Sequence, residues 1–191
     1  MTEVVVVGKG PSVRGTKIGS WIDSFETVIK MSEGYFDEDY GFKCDYLILT
    51  TLQAWVLPKS INPQAAVWLY VTKRPRYNKL PWDAYNEVIK SELDYEGPIV
   101  FINEHIRGWL RWYRRHYNKD RVEKKYVKHP SKGTVAIITA MELLKAEKIF
   151  LVGFDRVMKG HPPLMETHDW TIENKMLKLA SKHYSTELVV V

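Results

Sequence analysis

Val4-Val5-Val6-Val7-Gly8-Lys9-Gly10-Pro11-Ser12 is the most informative stretch of this 191-residue chain for its fold. Four consecutive β-branched residues indicate a buried strand, as in the centre of a parallel sheet. The glycines that follow permit positive φ angles and let a ligand come close to bare backbone. In parallel α/β proteins, nucleotide phosphates commonly bind at the turn after the first strand. Residues 8–12 are therefore a candidate nucleotide site, although many α/β proteins begin with a similar turn that binds nothing.

Segments typical of strands and helices alternate along the rest of the chain. Short apolar runs predict further strands at 26–31, 46–49, 65–72, 98–102, 148–152 and 188–191. Helices are predicted at 81–93, from 103 to about 126, from 133 onward with one apolar face, and around Ile172, Met176, Leu179 and Ala180. This alternation predicts the α/β class, with one Rossmann-like domain over residues 1–191 and a mostly parallel, twisted sheet covered by helices on both faces.

The positive charge of the chain, +5 in total, is concentrated in one region. Between Arg107 and Lys132 there are ten basic residues and only two acidic ones, with tryptophan and tyrosine interleaved among them. Arg111, Arg114 and Arg115 are therefore candidate contacts for an anionic partner, such as a charged glycan or a nucleic acid. The simpler alternative is an amphipathic helix with its tryptophans inward and its arginines outward.

Neither a membrane span nor a secretory signal is predicted. No stretch reaches the roughly 20 apolar residues that a spanning helix needs, and the N-terminus lacks a basic region followed by a long apolar core. The single cysteine, Cys44, cannot form a disulfide within the chain, which suits a reducing compartment. We therefore expect a cytoplasmic protein.

Two further stretches carry residues suited to anion binding or proton transfer. Ser131-Lys132-Gly133-Thr134 lies where a helix is predicted to begin, and helix N-termini favour anions. Ser131 would be the N-cap of that helix in any case. His168 and Glu173 lie before and within the start of the last helix, where a histidine can accept a proton near neutral pH. His168, and His161 in the preceding Gly/Pro-containing segment, can equally be solvated surface residues.

Several common kinds of site are excluded by their spacing. Val13 stands where a dinucleotide fingerprint has its third glycine, and no P-loop motif is present. No metal-ligand spacing occurs, and the nearest acidic cluster, Asp37-Glu38-Asp39, is interpreted as a solvated loop. No motif for a serine or cysteine nucleophile is found either. Chemistry without a metal ion or a covalent intermediate is therefore expected.

Taken together, these stretches resemble the sialyltransferases, both the animal type and the bacterial lipooligosaccharide type. Residues 4–12 with 22–31 resemble the long motif of that family, and residues 34–44 are similar to the bacterial type. Pro130-Ser131-Lys132-Gly133 with Phe150-Leu151-Val152-Gly153-Phe154-Asp155 is similar to the short motif. His168 and Glu173 match the final His-x4-Glu motif. The four motifs follow in the order of the family, whereas residues 52–128 show little resemblance.

The resemblance implies a GT-A-like Rossmann fold and metal-independent, inverting transfer of a sugar from a nucleotide sugar, which is the donor substrate, without a separate cofactor. His168 would be the general base that deprotonates the acceptor hydroxyl, and His161 would steady the leaving phosphate. Residues 156–167 would form a mobile lid that excludes water. The residues implied in donor binding are Gly8, Lys9, Gly10, Pro11, Ser12, Ser32, Ser131, Lys132, Gly133, Thr134 and Glu173.

Two departures from the family bear on the donor. Lys9 and Ser32 stand where the family has asparagines that serve the nucleotide and phosphate. A lysine at this place suits a second phosphate, as in a UDP- or GDP-sugar, in place of the usual CMP-sugar. The acceptor would be an anionic glycan bound through Arg111, Arg114 and Arg115. The alternatives are a hydroxylated base in DNA as acceptor, or a module that binds nucleotide or nucleic acid without catalysis.

Overall fold

A computed structural model describes residues 2–31, 35–50, 64–70, 87, 91, 95–116, 129–155 and 170–191. Within these ranges seven strands form one sheet in the order β5-β4-β3-β2-β1-β6-β7, and every adjacent pair is parallel. The strands are β1 (Glu3–Val7), β2 (Thr27–Met31), β3 (Tyr46–Thr50), β4 (Ala66–Tyr70), β5 (Ile99–Phe101), β6 (Lys148–Val152) and β7 (Glu187–Val190). The expectation of an α/β fold with a mostly parallel sheet is confirmed.

The valine strand β1 lies inside the sheet, between β2 and β6. Its Val7 is paired with Lys30 of β2 on one side and with Val152 of β6 on the other. Residues 4–7 are at most 3% exposed, because neighbours cover them on both edges and both faces. The chain builds β1 to β5 in one direction and then returns to the free side of β1. The carboxyl ends of β1 and β6 therefore form the topological switch point, where ligands of open parallel sheets bind.

Helices cover both faces of this sheet. They are α1 (Gly19–Asp23), α2 (Arg107–His116), α3 (Lys132–Leu143) and α4 (Trp170–Tyr184), with one 3-10 turn at Pro11–Val13. Val5 and Val7 pack on the α1 side, whereas Val4 and Val6 pack in the core formed with the other three helices. The connections from β1 to β2 and from β5 to β6 run in opposite directions along the sheet. Because crossovers between parallel strands are right-handed, their helices lie on opposite faces.

Two predictions about helices change in the structure, and a third falls mostly outside the described residues. The helix predicted from 103 begins only at Arg107, since residues 102–106 form turns, and residues 117–126 lie outside the description. The prediction that α3 has a single apolar face is wrong, because α4 packs on α3 and leaves Val135, Ile138 and Met141 buried as well. Of the helix predicted at 81–93, Glu87 and Ser91 are helical, and its other residues fall outside the described ranges. Among the described helices, none is both long and apolar enough to cross a bilayer.

Candidate functional site

The turn after β1, residues 8–12, lies directly against the end of β6. The amide of Gly8 donates to the Val152 carbonyl at 2.7 Å, and that of Gly10 donates to the Gly153 carbonyl at 2.9 Å. A β-carbon at Gly8 or Gly10 would lie 2.4 or 2.5 Å from the Gly153 oxygen, closer than atoms can approach. Both glycines are therefore required by contact between two main chains.

This contact corrects the reason that the sequence suggested for the two glycines. Positive φ angles occur at Gly15, Gly41 and Gly153, whereas Gly10 has a φ of −66°. The amides of Gly8 and Gly10 donate to carbonyls of the β6 end, so they are not the groups that would bind a phosphate. The exposed Lys9 side chain and the N-terminus of α3 also lie at this edge of the sheet.

Asp155 fixes the turn from the side of β6. Its carboxylate accepts hydrogen bonds from the Ser12 amide, at 2.9 Å, and from the Ser12 hydroxyl. From the other side, the Tyr40 hydroxyl donates to the Gly10 carbonyl at 3.0 Å. The sequence analysis placed Asp155 at the end of the stretch similar to the short motif, two positions after the glycine that follows β6, but gave it no role.

The residues after β2 form a second support for this turn, which we call the tyrosine loop (residues 35–43). Asp37 accepts from two amides of its own loop, and Asp39 accepts from the amides of Gly15 and Lys17 at 2.7 and 2.9 Å. These backbone hydrogen bonds lower the pKa of Asp39. The acidic residues of this loop face solvent, as predicted, and Asp37 and Asp39 in addition hold main-chain amides.

The buried side chain of Lys30 in β2 anchors the tyrosine loop to the sheet. It is 1% exposed, and its ammonium donates to the carbonyls of Tyr35 and Gly41 at 3.0 and 2.6 Å. Burial lowers the pKa of Lys30 to about 8, against weaker attraction from Cys44, Asp23 and Asp37. The sequence gives one signal for this role, a lysine between Ile29 and Met31 in an otherwise apolar strand.

The turn at residues 130–134 forms the N-terminus of α3 and is tied to α4. Ser131 is the N-cap, and its hydroxyl accepts from the Thr134 amide at 3.2 Å. Glu173 of α4 is fully buried and accepts from the Ser131 amide at 2.9 Å and from the hydroxyls of Ser131 and Thr134 at 2.5 Å each. Because these donors surround its carboxylate, Glu173 holds this turn in shape.

The two turns meet at the switch point. A β-carbon on Gly133 would lie 2.7 Å from the ring of Phe154, the residue next to Gly153 and therefore to the first turn. The two turns, far apart in the sequence, thus lie against neighbouring residues of one segment: the first contacts Gly153 and Asp155, and the second lies against Phe154. Lys9 is exposed at this place, and Lys132 is half-buried.

Several predicted site residues do not contribute to this picture. Ser32, His161, His168 and the predicted lid at 156–167 lie outside the described residues, so their roles stay predictions. Arg111, Arg114 and Arg115 are exposed on α2, whose Leu110 and Tyr113 are buried. The Trp109 indole donates to the Tyr184 hydroxyl of α4 at 2.9 Å. The helix is thus amphipathic, with aromatic residues packed inward and arginines outward.

Neither a cleft nor an acidic cluster among the described residues offers an alternative to the site at the switch point. The clefts, of about 350 and 420 Å³, lie toward the amino ends of the strands, where Glu26 borders both. Histidine, cysteine, aspartate and glutamate nowhere gather in threes that could hold a metal ion within the part of the chain that is described.

Comparison with known proteins supports the fold. No protein-family model matches the chain, and no curated protein shows significant similarity to it. Among solved structures, it is similar to the crystal structure of a mammalian sialyltransferase, with a TM-score of 0.57 and 17% sequence identity over 98% of this chain and 68% of that chain. A mammalian sialyltransferase in complex with Gal-beta-1-3GalNAc-ortho-nitrophenol gives a TM-score of 0.56 and 17% identity over 97% and 68% of the two chains. The chain therefore resembles sialyltransferases in fold over nearly its whole length.

Proposed function

We propose that this protein is a glycosyltransferase of the sialyltransferase type, with a GT-A-like arrangement of its sheet. The observation that carries the proposal is that residues 8–12 and 131–134 both lie against residues 153–155 at the switch point of a parallel sheet, in a fold similar to that of sialyltransferases. In open α/β sheets this is the place where nucleotides bind, because the carboxyl ends of the strands and the helix N-termini converge there.

The donor in this proposal is a nucleotide sugar whose phosphates lie between the two turns. Lys9 supplies an exposed positive charge at the first turn, and Ser131, Lys132, Gly133 and Thr134 supply the N-terminal end of α3. Asp155 and Glu173 act as positioning residues. Asp155 holds the first turn and Glu173 holds the start of α3, and a negatively charged carboxylate does not suit a phosphate contact. A cation at residue 9 favours a UDP- or GDP-sugar over a CMP-sugar.

The transfer step needs one base and no metal ion. His168 removes the proton from the acceptor hydroxyl while the acceptor oxygen bonds to the anomeric carbon. The bond from that carbon to the donor phosphate breaks at the same time, so the electron pair leaves with the nucleotide and the configuration inverts. His161 and Ser32 steady the departing phosphate, and residues 156–167 close over the donor to exclude water. The acceptor is an anionic glycan held by Arg111, Arg114 and Arg115.

Calorimetric titration with CMP, CDP, UDP and GDP tests the donor assignment. We expect the nucleoside diphosphates to bind more tightly than CMP, and Lys9→Ala to weaken their binding about tenfold, because a charge-assisted hydrogen bond is lost. Lys178→Ala removes an exposed lysine from α4 and serves as the matched control, which should bind as the wild type does. Preferential binding of CMP would contradict the diphosphate assignment.

His168→Ala tests the proposed catalysis separately from binding. In an assay of released nucleotide with a panel of nucleotide sugars, we expect transfer to fall about 10²- to 10⁴-fold, the usual contribution of a general base. Nucleotide affinity should stay within about twofold of the wild type, because the base acts on the acceptor. If transfer is unchanged in this variant, the assignment of His168 is wrong. A protein that binds nucleotide but transfers no sugar would instead be a non-catalytic module.

A further inference from the structure

Tyr35, the first residue of the tyrosine loop, lies beside the first turn and interacts with two exposed cations, Lys9 of that turn and Arg14 just after it. The Lys9 ammonium is over the Tyr35 ring, 5.5 Å from its centroid. Arg14 donates hydrogen bonds to the hydroxyls of Tyr35 and Tyr40, which raise the pKa of Arg14. An aromatic ring is therefore placed directly next to the lysine that the proposed function assigns to the donor phosphates.

The position of Tyr35 in the sheet suits a nucleoside. The tyrosine loop follows β2, the strand next to β1, on the same carboxyl edge as the first turn. In Rossmann-like sites the pyrophosphate lies at the turn after β1, and the nucleoside extends over the end of the neighbouring strand. The ring of Tyr35 is half-buried, so part of it remains accessible.

The ring is also held in place before any ligand arrives. Its main-chain carbonyl accepts from the buried Lys30 ammonium at 3.0 Å, and its ring packs against that of Tyr40 with centroids 4.7 Å apart. Tyr40 in turn donates to the Gly10 carbonyl at 3.0 Å. A ring fixed in this way loses little freedom on binding, which is what makes an aromatic side chain an effective stacking surface.

We propose that the Tyr35 ring stacks on the base of the nucleoside diphosphate part of the donor, while Lys9 moves from the ring to the second phosphate. The inference rests on the proposed function, because it names how that same site holds the nucleoside. In the structure the Lys9 side chain covers the face of the Tyr35 ring that a base would take. A bound diphosphate would draw the ammonium away and leave that face open for the base. A base has a π-face whatever its identity, so Tyr35 contributes affinity for several nucleotides.

The test compares nucleoside diphosphates with inorganic pyrophosphate, which has no base. By calorimetry we expect Tyr35→Leu to weaken UDP and GDP binding about 10- to 100-fold, the usual effect of losing one base–aromatic contact. Pyrophosphate binding should stay within about twofold. Tyr35→Phe keeps the ring and loses only the hydroxyl, so it should retain most of the nucleotide affinity. Phe42→Leu changes a 63% exposed aromatic residue of the same loop and should have no effect.

Each other outcome counts against the inference in a distinct way. Equal nucleotide affinity in Tyr35→Leu and the wild type would overturn the stacking role and leave the proposed function standing. The same would follow from Tyr35→Phe being as weak as Tyr35→Leu, or from pyrophosphate binding falling in parallel. A wild-type protein that binds none of these nucleotides would overturn both proposals. The unfolding midpoint of each variant shows whether a loss reflects misfolding, in which case Tyr35→Phe decides.

Discussion

At Gly10, the main chain of the first turn lies so close to Gly153 that no side chain fits between them. The β-carbon of an alanine would be 2.5 Å from the Gly153 oxygen and 2.7 Å from the Asp155 carboxylate. The same geometry brings Ser12 within reach of Asp155. A glycine that the sequence offered as a place for ligand approach is therefore first a requirement of the joint between β1 and β6.

Gly10→Ala should consequently destabilise the protein, by about 1–3 kcal/mol, because a main chain in contact with another cannot shift freely. Gly108 is the matched control. It lies inside α2 with nothing within 4 Å of a built β-carbon, so Gly108→Ala should stabilise by about 0.5–1 kcal/mol through helix propensity. Urea unfolding measures both free energies. Changes of the same sign in the two variants would contradict the role given to the β1–β6 joint.

Among the elements, α3 and the tyrosine loop show what could be predicted from sequence and what could not. The start of α3 at the Ser131 cap was predictable, because the cap and the helix pattern are local. The burial of residues 133–141 on all sides had a sequence signal in Val135, Ile138 and Met141, since a helix that is apolar all round is a buried one. The anchoring of the tyrosine loop by Lys30 was not predictable. It depends on the path of the loop, which brings the carbonyls of Tyr35 and Gly41 to the Lys30 ammonium.

The link between β2 and the tyrosine loop should make stability depend on pH. In the unfolded chain Lys30 titrates near 10.5 and in the folded protein near pH 8, so between these values only the unfolded state binds the proton. The contribution of Lys30 to the free energy of unfolding should then rise with pH across this window and level off above it. Cys44 acts in the opposite direction, because burial raises its pKa from 9.0 to about 12, so above pH 9 the unfolded chain loses a proton that the folded protein keeps.

Lys30→Met isolates this contribution from that of the other titrating groups. Relative to the variant, the wild type should gain about 3 kcal/mol between pH 8 and 10.5, since one pKa unit corresponds to about 1.4 kcal/mol. Urea unfolding of both proteins at pH 7.5, 9 and 10.5 provides the measurement. If the free energies of unfolding of the two proteins change with pH in parallel, burial does not lower the pKa of Lys30 and the prediction is wrong.

For the whole molecule, the parallel sheet and its helices on both faces followed from the alternation of local patterns. The valine run predicted an inner strand correctly, because residues that are apolar on both sides need cover on both faces. The order of the strands did not follow, since pairing of Val7 with Val152 joins residues far apart in the chain. For the same reason the contact of Asp155 with Ser12 was not visible in a single sequence.

The place of β1 between β2 and β6 has a consequence for biosynthesis. A ribosome releases β1 before the other strands of the sheet, and β2 can pair with it soon afterwards, but Ser12 and Asp155 are 143 residues apart. Until β6 emerges, the nascent chain carries an apolar strand with one bare edge, the kind of surface that chaperones cover and that aggregates when left open. The joint that completes the first turn thus assembles only after β6 and Asp155 have been synthesised.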